Sequence, residues 1–263
     1  MLYPKGFSFQ SAVIWFKDNQ TLWTYALLFY LPVCQILERF YNPNNRATLK
    51  KIGFIWNVFL SLFSAVGTCI TLPYLVNCLY QDGLESVLQL YNPSCNYILN
   101  GKVAFWSSLF VCSKLPEFID TFLYVLKNGK QHIFLHWYHH LFTAFYSYWL
   151  VVNGDNPSKY GIWMVSLNYF VHTFMYAYYA VMEITEQGCW LRKMVTKRSS
   201  LITTIQTVQM FIIMYVMLYD KFALGNNMDH FGFGMYLVYA VLFTNLFIGK
   251  YLSDFKILKI RTE

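Results

Sequence analysis

The chain has 263 residues, 57% hydrophobic and 21% aromatic, with 13% charged residues and a formal net charge of +7. That is roughly half the charge of an ordinary soluble domain, at about 25%, and it excludes a soluble globular protein in favour of a polytopic one built in lipid. The basic excess sits in short connections with no basic domain of its own, so it argues for membrane orientation and anionic headgroups and against nucleic-acid binding.

No cationic start with an apolar core and a small-residue cleavage site precedes residue 22, so no removable signal peptide is expected and the first span serves as the targeting signal. Seven mainly apolar stretches follow, at residues 22–40, 53–75, 103–126, 132–152, 160–182, 201–219 and 233–253, each near the ~20 residues a membrane-crossing helix needs. The first is short, holds Pro32 and ends in Glu38 and Arg39, which leaves six spans open as an alternative. Under the seven-span reading, one set of connections collects Arg39, Arg46, Lys50, Lys51, Lys127, Lys130, Arg192, Lys193, Lys197, Arg198, Lys250, Lys256, Lys259 and Arg261, fourteen of the twenty basic residues. The other side holds Lys5, Lys17, Lys102, Lys159 and Lys221. This asymmetry predicts a cytosolic C-terminus and an N-terminus on the opposite side.

The turn at 127–130 and the loop at 153–157 force antiparallel neighbours, so spans three to five form hairpins within a single domain covering 1–263. The long connection 76–102 carries Gly83, Pro93 and an amphipathic stretch from Leu84 to Leu90. Six cysteines, Cys34, Cys69, Cys78, Cys95, Cys112 and Cys189, show no CxxC pair and argue against a zinc site. Cys78 and Cys95 share the long connection, and whether they pair is left open. Asn19-Gln20-Thr21 fits the glycosylation pattern but lies against the first span, so modification is not expected there.

Polar residues fall inside four consecutive spans. Span three carries Lys114, Glu117 and Asp120 at steps of three, which places the charges on one helix face; Lys114 with Glu117 reads equally as a neutralised structural pair. Span four holds His136, His139 and His140, which helical spacing also puts on one face. Span five offers Asn168, His172 and Tyr176 at steps of four, and span six Thr203, Gln206 and Gln209 at steps of three. Each stripe alone suits helix–helix hydrogen bonding; four together require a shared polar interior, and ionisable groups in hydrocarbon are a functional-site hypothesis by default.

Two chemistries use a HxxHH box. Membrane di-iron desaturases and hydroxylases ligate iron with at least eight histidines, whereas this chain has six, and His132 and His230 fall near span ends or in a loop. The other chemistry is nucleophilic: a neutral imidazole attacks a thioester, carries the acyl group and hands it on, while a second histidine moves protons. A transporter or receptor with polar relays is a further reading, but neither needs three histidines on one face.

The motifs Lys114-Leu-Pro-Glu117-Phe-Ile-Asp120-Thr121, His136-Trp137-Tyr-His139-His140, Asn168-Tyr-Phe-Val-His172-Thr-Phe-Met-Tyr176 and Thr203-Thr-Ile-Gln206-Thr-Val-Gln209 resemble, in order and in successive spans, the four signatures of the ELO family of very-long-chain fatty acid elongases. The context of Trp137 resembles the branch acting on saturated and monounsaturated acyl chains. The resemblance implies an all-α polytopic fold of about seven transmembrane helices, six of them forming an inverted barrel around an acyl tunnel closed toward the lumen. It implies a 3-ketoacyl-CoA synthase of the endoplasmic reticulum membrane, which condenses acyl-CoA with malonyl-CoA and releases CO2 and CoA without a metal or redox cofactor. By motif position His139 is the acyl-bearing nucleophile, His136 and His140 support it and His172 lies opposite. Lys114, Glu117, Asp120, Asn168, Tyr176, Gln206 and Gln209 form the substrate-binding set, and Lys127, Lys130, Arg192, Lys193, Lys197 and Arg198 are available to CoA phosphates at the mouth. The implied partners are membrane lipid and the ketoacyl reductase, dehydratase and enoyl reductase of the elongation cycle, with homo-oligomerisation left open. Two features depart from the family: the tail Lys259-Ile-Arg261-Thr-Glu263 is a degenerate dilysine signal, and the connection 219–231 lacks the cysteine that braces lumenal loops in some members.

Overall fold

The computed structural model describes residues 4–88, 101–129, 134–153 and 160–252, and every regular element among them is helical. In chain order these are α1 (Phe9–Asp18), α2 (Gln20–Glu38), α3 (Arg46–Leu88), α4 (Gly101–Ser113), α5 (Phe118–Asn128), α6 (Phe134–Asn153), α7 (Gly161–Ile184), α8 (Trp190–Lys197), α9 (Ser199–Phe222) and α10 (His230–Phe247), the last continued by a short π-helical turn over Ile248–Leu252. Three stretches, Pro43–Glu85, Trp190–Phe222 and His230–Tyr251, are long and apolar enough to cross a membrane by length and composition. Among the described residues the architecture is therefore all-helical, and it fits a polytopic membrane protein.

Six of the seven predicted spans coincide with α2, α3, α6, α7, α9 and α10. Span three differs. It is split into α4 and α5 by turns over 114–117, where Phe118 N–H donates to the Leu115 carbonyl at 3.0 Å and Ile119 N–H to that of Pro116 at 2.9 Å. Pro116 has no N–H to continue an α-helix and disfavours helical backbone at Leu115, so the chain tightens into three-residue steps. α3 is longer than expected, 43 residues, because the helix runs past the membrane-spanning stretch to a bend at Gly83, whose φ of 74° belongs to the left-handed region. The helical residues 84–88 beyond that bend coincide with the start of the expected amphipathic stretch; its remainder, and Cys95 with the question of its pairing to Cys78, lie outside the described residues. α1 and α8, both too short to span, went unpredicted.

Helix contacts run in a circuit: α3 on α7, α7 on α9, α9 on α10, α10 on α6, α6 on α5 and α4, and these back on α3, with α2 outside against α5 and α6. The α3–α7 seam is the most extensive. Gly67 lets it close, since a Cβ there would lie 2.6 Å from the Tyr169 ring, and Ser61 Oγ donates to the Thr173 carbonyl at 2.9 Å. Small residues at a close helix crossing are the usual device of packing in lipid, where the hydrophobic effect does not drive helices together. At one end of the bundle Tyr160 OH donates to the buried Asp220 at 2.5 Å and Tyr146 donates to Asp229, which also caps α10 through Gly232 N–H at 2.9 Å.

Candidate active site

Two cavities lie inside the helix circuit. The larger, about 2000 Å³ of open space, is lined by residues of α3, α5, α6, α7, α9 and α10 and has Arg46, Lys50, Lys127 and Lys250 among its walls. The smaller runs along α6 and α7 between mainly apolar side chains. His139, Asn168, Gln209 and Met210 line both, so they stand where a basic, water-accessible chamber meets a greasy one.

Nine predicted site residues line the larger cavity: Asp120, His136, His139, His140, Asn168, His172, Tyr176, Gln206 and Gln209. Lys114 and Glu117 line neither cavity. Unlike Asp120, which lines the larger cavity, they pair with each other at 2.7 Å, 2% and 4% exposed. Ser113 Oγ donates to Glu117 at 2.9 Å, and the ammonium of Lys114 lies 4.1 Å over the Phe110 ring. The pair is tied to the chamber through Asn168, whose side-chain oxygen accepts from Lys114 at 3.2 Å; the Asn168 amide is in turn 3.2 Å from Nε2 of His172. The two ions thus neutralise each other and orient Asn168, which fixes His172.

Asp120 is the second hub. Its Oδ1 accepts from the Trp56 indole at 2.5 Å, its Oδ2 accepts from Tyr176 OH at 2.7 Å, and His140 Nε2 lies 4.0 Å from Oδ2. Tyr176 is therefore engaged with a carboxylate, and its ring lies 5.1 Å from that of His172. Beside Asp120, Thr121 shares a hydrogen bond of 2.7 Å with Tyr30 of α2, tying the outer helix to the motif.

The three box histidines do not form one uniform face. His140 sits against His136 with ring centroids 4.6 Å apart and turns toward Asp120 on α5, and His136 lies 6.3 Å from the Tyr124 ring on the same helix. His139 turns toward α10, 5.0 Å from Tyr239 and 6.4 Å from Phe243. Tyr239 OH shares a hydrogen bond with Thr143 at 3.0 Å and donates to the His139 carbonyl at 3.3 Å, which holds that side of the box. Gln206 donates to the Met175 sulfur at 3.2 Å and lines only the larger cavity. Gln209, one turn deeper and 4% exposed, stands at the junction. Among the described residues no group of three or more His, Cys, Asp or Glu side chains is arranged to hold a metal ion.

Several wall residues carried no functional signal in the sequence. Trp56 and Tyr239 are single aromatics in an aromatic-rich chain, and only their hydroxyl or indole partners distinguish them. Arg46, Lys50 and Lys250 read as topological charges, yet they line the chamber with Lys127, which is paired to Glu183. Of the other bases available to CoA, Arg192 instead donates to the Met182 and Thr185 carbonyls at the end of α7, at 2.9 and 2.7 Å; Lys193, Lys197 and Arg198 line neither cavity, and Lys130 lies outside the described residues.

The model of the GNS1/SUR4 (ELO) family matches residues 15–257. The chain is 31% identical to "Fatty acid elongase 3" of Trypanosoma brucei brucei, covering 91% of this chain and 86% of that protein. It is 30% identical to "Very long chain fatty acid elongase 4" of Trypanosoma cruzi, over 95% of this chain and 87% of that protein, and 31% identical to "Very long chain fatty acid elongase 6" of Drosophila melanogaster, over 95% and 78%. No solved structure gives a significant match. With a family match across almost its whole length and relatives aligned nearly end to end, the chain belongs to the ELO family.

Proposed function

We propose that the chain is a membrane-embedded 3-ketoacyl-CoA synthase that lengthens an acyl-CoA by two carbons with malonyl-CoA. One observation carries the reading: His139, with Asn168 and Gln209 beside it, occupies the meeting point of a chamber with basic walls and an apolar cavity, which is where a thioester whose CoA is charged and whose tail is greasy must react. Membership of the family and the elongase names of its relatives support the same activity.

An imidazole nitrogen of His139 attacks the acyl thioester carbonyl, the C–S bond breaks, and CoA leaves as the thiol after taking up a proton. The acyl-imidazole then waits in the junction. Malonyl-CoA enters the vacated chamber and loses CO2, and the electron pair of the broken bond becomes the enolate of acetyl-CoA. Its carbon attacks the acyl carbonyl, forming the new C–C bond and breaking the C–N bond, and the departing imidazole nitrogen takes up a proton to restore neutral His139. Asn168 and Gln209, whose amides face the junction, supply donors to the oxyanion, and His172, fixed by Asn168, serves the malonyl half. His136 and His140 exchange protons, with Asp120 orienting His140. The narrow apolar surroundings keep water from the enolate and from the acyl-imidazole. No step requires a metal or redox cofactor. Arg46, Lys50, Lys127 and Lys250 attract the CoA phosphates.

The finer architecture belongs to the same proposal: seven spans, with α2 outside and six forming an inverted barrel around a tunnel closed toward the lumen, all within one domain covering 1–263. The basic end faces the cytosol with the C-terminus, and the N-terminus faces the lumen of the endoplasmic reticulum. The ketoacyl reductase, dehydratase and enoyl reductase of the cycle act on the product. Purified protein in nanodiscs given acyl-CoA and labelled malonyl-CoA tests the function directly: label in a 3-ketoacyl-CoA is expected, and its absence with every primer overturns the reading.

A further inference from the structure

The smaller cavity is lined by His139 and, eleven and twelve residues farther along α6, by Leu150 and Val151, with Phe9 and Ile162 also in its wall. Phe9, Val151 and Ile162 are buried, at 8%, 5% and 3% exposure. Phe9 does not come from any of the long helices. It opens α1, a ten-residue helix capped by Ser8, whose Oγ accepts from Ser11 N–H at 3.2 Å, and whose buried face, Phe9, Ala12, Val13 and Phe16, packs on α6 and α4. The neighbouring turn is fixed as well: Gly101 N–H donates to the Phe7 carbonyl at 3.1 Å, and the Phe7 and Phe105 rings meet edge to face at 5.2 Å.

We infer that α1 is the floor of the acyl site and that the Phe9 side chain sets the longest primer the protein accepts, at about 14 carbons. The inference rests on the reading of His139 as the acyl-bearing residue. Along α6, Leu150 and Val151 lie eleven and twelve residues beyond His139, about 17 to 18 Å at 1.5 Å per residue. The α7 wall, from Asn168 to Ile162, is shorter at about 9 Å, so α6 gives the upper bound on depth. An all-trans chain with C–C bonds of about 1.5 Å advances about 1.25 Å per carbon, and about 17 to 18 Å therefore holds some 13 to 14 carbons. A longer tail meets Phe9, which lacks an easy way aside because its helix is capped and packed.

The test uses the full chain in nanodiscs with malonyl-CoA and a ladder of saturated acyl-CoA primers on both sides of this limit, with the 3-ketoacyl products separated by mass. The wild type is expected to extend myristoyl-CoA and to extend stearoyl-CoA at least about tenfold more slowly. Phe9→Ala removes a ring about 5 Å deep and should move the limit up by about two to four carbons; Phe9→Trp should move it down. A variant that merely folds poorly lowers all lengths together without moving the limit. Phe9→Leu, which keeps an apolar packing group, repeats the measurement with a smaller upward shift. Wild-type protein that extends stearoyl-CoA as fast as myristoyl-CoA overturns the assignment of length while leaving condensation intact, as does a limit unmoved in all three variants. Failure with every primer instead overturns the condensation reading itself.

Discussion

His139 differs from the other two histidines of its box by what surrounds it: His136 and His140 lean on each other and on α5, whereas His139 faces the junction of the cavities beside Tyr239. Substitution of His139 by alanine should abolish the acyl adduct that intact-mass measurement detects after incubation with acyl-CoA alone, and lower condensation by a factor on the order of 10³ or more; an adduct that survives moves the nucleophile elsewhere. Asp120 makes a sharper case for reading residues by their partners. The sequence placed it on a polar stripe but gave no hint that Trp56, 64 positions away, donates to it, because an indole nitrogen has no periodic signature. Trp56→Phe keeps the ring and loses the donor; a hydrogen bond to a charged group is worth roughly 1.5–3 kcal/mol, so kcat should fall about tenfold or more while KM changes little. In an Asp120→Asn background the same change should have a much smaller effect, and equal losses in both backgrounds would show that Trp56 acts by packing alone.

At the scale of elements, the long apolar helices were legible because lipid imposes length and hydrophobicity together, and α6, α7, α9 and α10 follow the expected bounds closely. What escaped is instructive. Span three reads as one apolar run with periodic charges, and only Pro116 marks the break between α4 and α5; Asp120 lines the cavity, whereas Lys114 and Glu117 do not. α1 and α8 escaped because ten and eight residues are too few to stand out as spans, although α1 brings Phe9 to the wall of the smaller cavity. The buried pair at the break fixes the geometry of this element. Removing one partner leaves a buried charge uncompensated, at a cost of about 3–5 kcal/mol, so Lys114→Met should lower the thermal midpoint in detergent markedly. The double change Lys114→Met with Glu117→Leu should recover most of the loss; a double variant as unstable as the single one would mean that the charges contribute something beyond mutual neutralisation. The α3–α7 seam allows a second test: Gly67→Val puts side-chain atoms inside the Tyr169 ring and should cost about 1–3 kcal/mol through overpacking, seen as a lowered midpoint that Tyr169→Leu partly restores.

Across the whole molecule the basic residues are unevenly placed. Arg46 and Lys50 at the start of α3, Lys127 at the end of α5 and Lys250 beyond α10 come from three separate stretches of sequence, and the fold gathers them around one chamber; Tyr–Asp ties join helices away from that chamber. Sequence alone read Arg46, Lys50 and Lys250 as orienting charges and left Lys127 available to CoA as well, since positive residues on one side of a membrane are expected whatever the protein does, and only their convergence distinguishes lining charges from the rest. That distinction can be measured. If the lining bases attract CoA phosphates, the KM for malonyl-CoA should rise with ionic strength, because charges near an open, water-filled mouth are screened within about 8–10 Å at physiological salt. Lys50→Glu should raise that KM about tenfold or more, about 1.4 kcal/mol or more of lost attraction, with kcat little changed, since Lys50 lies at the mouth and not at the junction. Lys197→Glu makes the same change in net charge on α8, outside both cavities, and should leave the KM within about twofold. Equal effects of the two substitutions would show that the field of the basic end as a whole, and not the residues lining the chamber, draws the substrate in.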